Sequence, residues 1–307
     1  MKKVVVTGAN GFVGSALVKE LVNKGIKVIA VIRNEQSDYS CINGLPNIRI
    51  VYCSLDEIER LSEGIFDRDI DAFYHFAWEG SAGSLRSSYE LQLKNAQYSC
   101  DAVKACQRLG CKRFVFAGSI MEYECARLME TSKRPSQVNI YSAAKIAANY
   151  MARTVATEMG VEYVVGVISN IYGVGEISPR LVNTTLRKFL SGEKTSFTSG
   201  EQMYDFIYIT DAAKAFYAIG KYGQSNKNYY IGSLKPKPLK DFLMVMRDEV
   251  NSMLTLNLGE IQFNGISLDY SMFDLQAVKK DTGFVPEISF SDGIERTIEW
   301  LKSVEGY

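Results

Sequence analysis

Apolar or β-rich runs recur along the first half of the chain, and stretches with helical periodicity lie between most of them. These runs cover residues 4–6, 28–32, 48–51, 72–76, 114–117 and 163–168. Parallel strands that are buried on both faces read as continuous apolar segments. The alternation of strand and helix therefore predicts an α/β protein with a doubly wound parallel sheet. In such a sheet, ligands bind at the carboxyl edge of the strands.

The regular alternation ends near residue 170. Beyond it, glycine and proline, beginning with Gly173 and Pro179, divide the chain into shorter segments. We expect a first domain over residues 1–170, with return segments near 205–225, and a smaller C-terminal lobe over most of 171–307. Because no low-complexity linker separates the two parts, the sequence predicts one body with a cleft between the lobes.

The first apolar run breaks into three glycines, Gly8, Gly11 and Gly14, and then opens into an amphipathic stretch over 15–22 that Gly25 closes. Residues without a Cβ let the backbone turn sharply and approach two phosphates, while the helix N-terminus directs free N–H groups at them. The strand before and the helix after these glycines predict a dinucleotide-binding loop. The other loop residues that we assign to this site are Asn10, Phe12 and Val13.

The end of the second run indicates which dinucleotide is bound. In NAD-specific sites an acidic residue here accepts hydrogen bonds from the adenosine ribose, whereas a cation favours a 2′-phosphate. This chain has Arg33 at that place, and Glu35 comes only later. We therefore expect NADP(H) to be preferred over NAD(H), with Arg33 pairing the phosphate. Asp56 is a weaker candidate for the adenine region, and NAD(H) stays possible.

Composition and charge narrow the range of partners. Lys and Arg together number 35, as do Asp and Glu, so charge does not favour nucleic acid or an anionic membrane as a partner. No apolar run approaches the roughly 20 residues of a membrane helix, and no signal-peptide pattern opens the chain, which predicts a cytoplasmic protein. The six cysteines lack paired spacing and the only histidine is His75, so we expect no metal site.

Candidate catalytic residues lie at the end of one predicted strand and on a predicted helix that follows it. Tyr141 and Lys145 are four residues apart on one face of a predicted helix, and Ser119 ends the strand run at 114–117. A nearby ammonium favours the phenolate of a tyrosine, whose ordinary pKa of about 10 makes it a poor base at neutral pH. The same spacing at Tyr217 has no serine partner, and we interpret it as helix surface.

Together these residues resemble the extended short-chain dehydrogenase/reductase family that acts on nucleotide sugars. The resemblance covers nearly the whole chain. It is carried, in order, by Thr7 to Gly14, His75-Phe76-Ala77, Asn95, Ser119 with Tyr123, Tyr141 with Lys145, Ser169 to Gly173, and Asp205 to Asp211. This family has a Rossmann-type fold with a smaller C-terminal substrate-binding lobe. The resemblance also implies a homodimer formed through the helices near 88–109 and 140–159.

The resemblance implies roles for individual residues. Tyr141 would exchange a proton with a sugar oxygen, Ser119 would hydrogen-bond that oxygen, and Lys145 would also hold the nicotinamide ribose. Ala77 falls in the cofactor pocket. Asn170 would contact the sugar or phosphate of a nucleotide-sugar substrate.

Three departures from the family pattern bear on the substrate. Ile120 and Met121 stand where dehydratases carry an acid, which argues against water elimination, although Glu122 and Glu124 are close in sequence. Tyr204 replaces an arginine that commonly pairs with the substrate phosphate, and Arg180 ranks ahead of Arg187 and Lys188 as its substitute. Trp78 follows Ala77, and two roles are open for its ring: stacking on the substrate or packing in the core. Our predicted substrate contacts are therefore Trp78, Met121, Asn170, Arg180 and Tyr204.

Two reactions fit the same serine, tyrosine and lysine. A reductase transfers hydride from NADPH to a nucleotide-activated 4-keto-6-deoxyhexose, whereas a 4-epimerase oxidises C4 and returns the hydride to the other face. We favour the reductase because Arg33 predicts NADPH, which commonly drives reductive steps. A steroid or flavonoid reductase also fits Arg33 but explains less of the 205–211 segment. A catalytically silent dinucleotide-binding protein is a further alternative, although such proteins are expected to lose part of the catalytic set.

Overall fold

The computed structural model of the protein describes residues 1–131, 133–137 and 139–306. The strands in this part of the chain are β1 (Lys3–Thr7), β2 (Lys27–Ile32), β3 (Ile48–Tyr52), β4 (Ala72–His75), β5 (Arg113–Ser119), β6 (Glu162–Ile168), β7 (Asn170–Tyr172), β8 (Met203–Tyr204), β9 (Phe206–Tyr208), β10 (Asn228–Ile231) and β11 (Lys237–Pro238). The main sheet has the order β10-β6-β5-β4-β1-β2-β3 and all of its pairs are parallel. The predicted doubly wound sheet is confirmed.

The helices connect these strands and cover the sheet. They are α1 (Phe12–Asn23), α2 (Tyr89–Arg108), α3 (Met121–Met129), α4 (Asn139–Glu158), α5 (Leu181–Leu190), α6 (Ile209–Tyr222), α7 (Leu239–Asn251), α8 (Ala277–Thr282) and α9 (Phe290–Glu305). Short 3₁₀ helices cover Leu55–Glu63, Ser84–Ser87 and Tyr270–Met272. Gly25 follows the end of α1 with a φ of 73°, the left-handed conformation that suits glycine at a helix terminus.

The two faces of the sheet bury separate hydrophobic clusters. In β1, Val4 and Val6 pack with α1 and α6, whereas Val5 packs on the opposite face with α2 and α4. This alternation follows from the pleat of a strand, which points successive side chains to opposite sides. Burial on both faces explains why the strands read as unbroken apolar runs.

The chain returns to the main sheet through α6 and then adds the edge strand β10. Helix α6 packs against α1, and β10 then pairs with β6 at the sheet edge through Asn228–Ile231. The predicted return segments near 205–225 did not include this strand. It was missed because only three buried residues, Tyr229, Tyr230 and Ile231, mark it.

The C-terminal part is built on aromatic packing and two short sheets. Strand β7 pairs with β9 in parallel and β8 pairs with β11 in antiparallel fashion. Phe206 contacts the rings of Tyr172, Phe242 and Phe290, with centroids 4.9–6.2 Å apart. These rings belong to the cluster that covers one face of the main sheet, which joins the C-terminal part to that face. Among the described residues, no helix combines the length and apolarity needed to cross a bilayer.

Candidate active site

A cavity of about 700 Å³ opens at the carboxyl edge of the main sheet. Its wall combines the loop after β1, the ends of β4 and β5, the start of α4 and the segment from β7 to α5. The volume is within the range of about 300–1,000 Å³ that is typical of ligand pockets. The cavity therefore lies where the sequence predicts a ligand, between the sheet edge and the C-terminal part.

The glycine loop forms one end of this cavity. Gly8 has a φ of 65°, and a Cβ there would lie 2.7 Å from the Ala77 nitrogen. A Cβ on Gly14 would lie 2.1 Å from the Gly8 carbonyl oxygen, so the start of α1 rests directly on the loop. This close backbone packing leaves the N-terminus of α1 open to the cavity. This open helix N-terminus fits the pyrophosphate of a dinucleotide.

Arg33 lies at the end of β2 and lines the cavity, where it forms an ion pair with a carboxylate. Its Nη2 atom lies 2.9 Å from Glu79 Oε1, a residue that also lines the cavity. The sequence predicted no acid here because Glu79 is remote in the chain. Asp56 is exposed at the start of a 3₁₀ helix and is absent from the cavity wall, so its adenine role stays a prediction.

The loop after β4 is held by buried polar side chains of α2. Asn95 accepts a hydrogen bond from the Glu79 backbone N–H at 3.0 Å and donates to the Glu79 carbonyl at 2.8 Å. The indole of Trp78 donates to Gln92 Oε1 at 2.9 Å. Asn95 thus holds the loop after β4, which forms part of the cavity wall. His75 is buried beside Thr7 Oγ1, and burial lowers its pKa to about 3, so it is neutral.

Ser119, Tyr141 and Lys145 all line the same cavity. Ser119 is the last residue of β5, whereas Tyr141 and Lys145 project from one face of α4. Residues four apart on a helix lie one above the other, which brings the phenol and the ammonium to one side. The tertiary structure therefore brings the three predicted catalytic side chains together.

Lys145 is buried at the base of the cavity. Its Nζ donates to the Ala117 carbonyl at 3.0 Å and lies 3.7 Å from the centroid of the Trp78 ring. Burial lowers the pKa of this ammonium, and Glu122 opposes the change. One face of Trp78 is thus covered by Lys145, while its ring meets that of Tyr141 edge-on, with centroids 5.8 Å apart.

Tyr141 has a second cationic neighbour that the sequence did not indicate. The Arg86 Cζ atom lies 4.2 Å from the centroid of the Tyr141 ring, compared with 6.0 Å for Lys145 Nζ. Burial raises the pKa of the Tyr141 phenol, whereas Arg86, Arg180 and a hydrogen bond with Ser119 lower it. Arg86 is therefore the nearer of these two cations to the centre of the Tyr141 ring.

Glu122 supports Ser119 from the first turn of α3. Its Oε1 atom accepts a hydrogen bond from the Ser119 backbone N–H at 2.7 Å, and its Oε2 atom accepts one from Asn149 Nδ2 at 2.9 Å. Burial raises the pKa of this carboxyl. Because both oxygens are used and the side chain is buried, Glu122 holds the end of β5 in place.

The predicted substrate contacts all reach the cavity wall. These residues are Trp78, Met121, Asn170, Arg180 and Tyr204. Asn170 donates to the Asp205 carbonyl at 3.0 Å, so its amide also joins β7 to the segment before β9. Arg180 lies 3.4 Å from Glu176, and Tyr204 stacks on Phe206 with centroids 5.7 Å apart. Arg187 pairs with Glu305 and does not line the cavity.

Sequence reasoning missed Glu79, Arg86 and the role of Glu122. Glu79 and Arg86 lie in an irregular segment between β4 and α2 that carries no periodic signal. For Glu122, the sequence pattern indicated only a role as a catalytic acid. Its position three residues after Ser119, at the start of a helix, was the available signal for a hydrogen bond back to that residue.

The sequence model of the NAD dependent epimerase/dehydratase family matches residues 4–232. Among similar proteins, the trifunctional UDP-glucose 4,6-dehydratase/UDP-4-keto-6-deoxy-D-glucose 3,5-epimerase/UDP-4-keto-L-rhamnose-reductase of Arabidopsis thaliana is 22% identical over 324 residues. That match covers 97% of this chain but 47% of the relative, so the chain spans about half its length. The CDP-abequose synthase of Salmonella typhimurium is 25% identical over 308 residues, which cover 97% of this chain and 98% of that protein.

A similar fold occurs in the UDP-N-acetylglucosamine 4-epimerase of Methanobrevibacter ruminantium. The two structures have a TM-score of 0.80 at 22% identity, and the match covers 98% of each chain. The family match identifies the protein as an enzyme of the extended short-chain dehydrogenase/reductase type. The chain belongs to the NAD dependent epimerase/dehydratase family. The glycine loop, where an added Cβ would strike backbone, fits the dinucleotide that this membership implies.

Proposed function

We propose that the protein is an NADPH-dependent 4-ketoreductase of a nucleoside-diphosphate-activated 4-keto-6-deoxyhexose. The observation that carries this proposal is Arg33, which lines the cavity at the end of β2, where its guanidinium is suited to a 2′-phosphate. The name of the Arabidopsis relative includes a UDP-4-keto-L-rhamnose reductase among three activities, so this reaction class occurs among similar proteins.

The proposed division of labour takes the roles that the family resemblance implies, and it is supported by the one cavity that all three residues line. NADPH supplies the hydride when it is bound. Tyr141 delivers a proton to the reacting oxygen, Ser119 hydrogen-bonds the same oxygen, and Lys145 holds the nicotinamide ribose from the base of the cavity. Tyr141 acts as the acid in the reductive direction, so its phenol must be protonated at the start of the step and stabilised as phenolate at the end.

The residues after Ser119 support reduction rather than water elimination. Ile120 and Met121 carry no acid, and the carboxylate of Glu122 is buried with a hydrogen-bond donor on each oxygen. Glu124 is partly buried and does not line the cavity. An elimination step needs a general acid or base at the substrate, and neither carboxylate is placed for it.

A second candidate is an NAD-dependent nucleotide-sugar 4-epimerase, and Glu79 favours it. A carboxylate 2.9 Å from Arg33 provides an acceptor for ribose hydroxyls and competes with a 2′-phosphate for the guanidinium. The similar fold of a UDP-N-acetylglucosamine 4-epimerase is compatible with this reading. An epimerase must retain its cofactor through each turnover, whereas a reductase must release it, and this difference separates the two candidates.

The substrate-binding wall is also part of the proposal. In this proposal Arg180 pairs with the diphosphate, because Tyr204 leaves the usual position without a cation. Asn170 and Met121 line the same cavity. Competition by free nucleoside diphosphate, weakened in Arg180→Gln, tests this assignment.

We further propose a homodimer in the cytoplasm, with α2 and α4 at its interface. Leu93 and Tyr150 are 60% and 70% exposed on these two helices, which contact each other along one side of the sheet. Sedimentation of the native protein and of a Leu93→Glu, Tyr150→Glu variant checks the proposal. A monomer at micromolar concentration in the native protein would contradict it.

The experiment that tests the enzymatic proposal identifies the nucleotide released on denaturation of freshly purified protein and compares binding of NADPH and NADH. A reductase predicts an exchangeable site that prefers NADPH, and near-stoichiometric retained NAD supports the epimerase. Arg33→Asp should move the preference toward NADH, whereas Glu79→Gln should strengthen NADPH binding because it removes the competing carboxylate. Turnover of 4-keto-6-deoxy nucleotide sugars should be lost in Tyr141→Phe without loss of cofactor binding.

A further inference from the structure

Arg86 is a guanidinium with few partners beside the proposed acid. It lies in the 3₁₀ helix Ser84–Ser87, is partly buried and lines the cavity. Its Nη1 atom makes a long 3.4 Å hydrogen bond to the Ser81 carbonyl. Its Nε atom is buried without a hydrogen-bond partner in the described residues, and within the same ranges no carboxylate oxygen lies within 4.0 Å of the guanidinium.

The guanidinium of Arg86 lies over the ring of Tyr141. The Arg86 Cζ atom lies 4.2 Å from the centroid of the phenol ring, which is cation–π distance. Lys145 lies farther from the ring, at 6.0 Å, and gives a hydrogen bond to the Ala117 carbonyl. Arginine also keeps its charge when it is buried, whereas a buried lysine loses its proton more readily.

We propose that Arg86 is a further positioning residue for proton exchange at Tyr141, in addition to Lys145. The guanidinium lies over the phenol ring, restricts its orientation and stabilises the negative charge that develops as the proton leaves. This inference rests on the proposed function, in which Tyr141 is the acid, but the charge effect on the phenol exists without substrate.

The other groups around Tyr141 do not replace Arg86. Arg180 and Ser119 also lower the pKa of the phenol, while burial and Glu122 raise it. The side chain of Arg180 is 48% exposed and lies 3.4 Å from Glu176, so water and that carboxylate screen it. Glu124 faces Arg86 and opposes part of its effect. Arg86 is the largest of the contributions that lower this pKa.

The test titrates the phenol directly. The protein is produced with 3-fluorotyrosine, whose fluorine withdraws electrons and brings ionisation to a lower pH, and the Tyr141 signal is identified by its absence from Tyr141→Phe. Fluorine NMR then follows that signal against pH. An opposite charge within about 4–6 Å shifts a pKa by about 1–3 units, so Arg86→Gln should raise the midpoint by about one unit.

Two variants distinguish charge from structure. Arg86→Lys keeps the charge, so its midpoint should stay nearer to the native value than that of Arg86→Gln. Arg127→Gln removes an exposed arginine paired with Glu130 on α3 and should leave the midpoint unchanged. An equal shift in Arg86→Lys and Arg86→Gln, or no shift in Arg86→Gln, would overturn the proposal.

Kinetics separate this inference from the proposed function. In the reductive direction the rate falls as pH rises through the pKa of Tyr141. Arg86→Gln should therefore move that alkaline limb upward by about one pH unit. At pH values below the limb, kcat should be about tenfold lower than in the native enzyme, with KM for NADPH little changed. If the NMR shift occurs while no keto-sugar is turned over by the native enzyme, the proposed function fails and the role of Arg86 stands. If turnover occurs and neither readout moves, the role of Arg86 fails alone.

Discussion

Gly14→Ala should strongly weaken cofactor binding while leaving most of the fold intact. A Cβ on Gly14 would lie 2.1 Å from the Gly8 oxygen and 2.9 Å from its carbonyl carbon. Both atoms belong to the backbone, so no side-chain rotation relieves the contact. The loop must move by about 1.3 Å to restore an ordinary separation of 3.4 Å. The N–H groups that face the pyrophosphate then lose their alignment.

The expected magnitude follows from the hydrogen bonds at risk. Hydrogen bonds to charged groups contribute about 1.5–3 kcal/mol each, so loss of two weakens binding by at least about 3 kcal/mol, or about 100-fold in the dissociation constant. Fluorescence titration with NADPH measures this change, and thermal denaturation reports on the fold. A Gly14→Ala protein that binds NADPH with native affinity would refute the reasoning.

Two matched controls test whether the effect comes from contact rather than from alanine itself. Gly25 has a φ of 73° but no atom within 4 Å of an added Cβ, so Gly25→Ala carries backbone strain without a clash. It should cost about 1–2 kcal/mol of stability and leave NADPH affinity unchanged. Gly64 has a negative φ of −93°, does not line the cavity and has its nearest contact at 3.8 Å, so Gly64→Ala should change either quantity much less than Gly14→Ala. Equal loss of affinity in all three variants would contradict the argument.

Two further predictions concern buried and paired carboxylates. Glu122→Gln places an amide N–H₂ group against the N–H of Ser119 or of Asn149, so one hydrogen bond is lost at a cost of about 1–3 kcal/mol. We expect a lower Tm and a lower kcat, because the end of β5 shifts. Asp281→Asn removes an ion pair with Lys227, in which Asp281 Oδ2 lies 2.6 Å from Lys227 Nζ. That pair holds the pKa of Asp281 below its ordinary value of 3.8, so its stabilisation is present above that pH and lost as pH falls below it.

The controls for these two predictions are a second variant and a series of pH values. Glu124→Gln alters a carboxylate two residues from Glu122 that does not line the cavity, and it should have the smaller effect on Tm. For Asp281→Asn, unfolding by denaturant at several pH values should show a stability deficit at pH 7 that narrows below pH 4. A deficit of constant size across this range would argue that the ion pair does not contribute.

The sequence by itself determined the architecture and one end of the site. Apolar runs at β1, β2 and β5 report burial on both faces, and glycines at 8 and 14 mark places where backbone meets backbone. Both signals are local, because they depend on a residue's own side chain and its near neighbours in the chain. For the same reason the four-residue strand β10, with little apolar sequence of its own, escaped the pattern.

Only the tertiary structure decided how charges are paired across the cavity. Arg33 was expected beside a phosphate, and the fold brings Glu79 to it from the loop after β4. Lys145 was expected to act on Tyr141, and the fold places Arg86 closer to that ring. Electrostatic interactions depend on distance and burial, and segments far apart in the chain set both. A pattern along the sequence identifies the groups that carry charge, whereas the packing of helices and loops decides which groups meet.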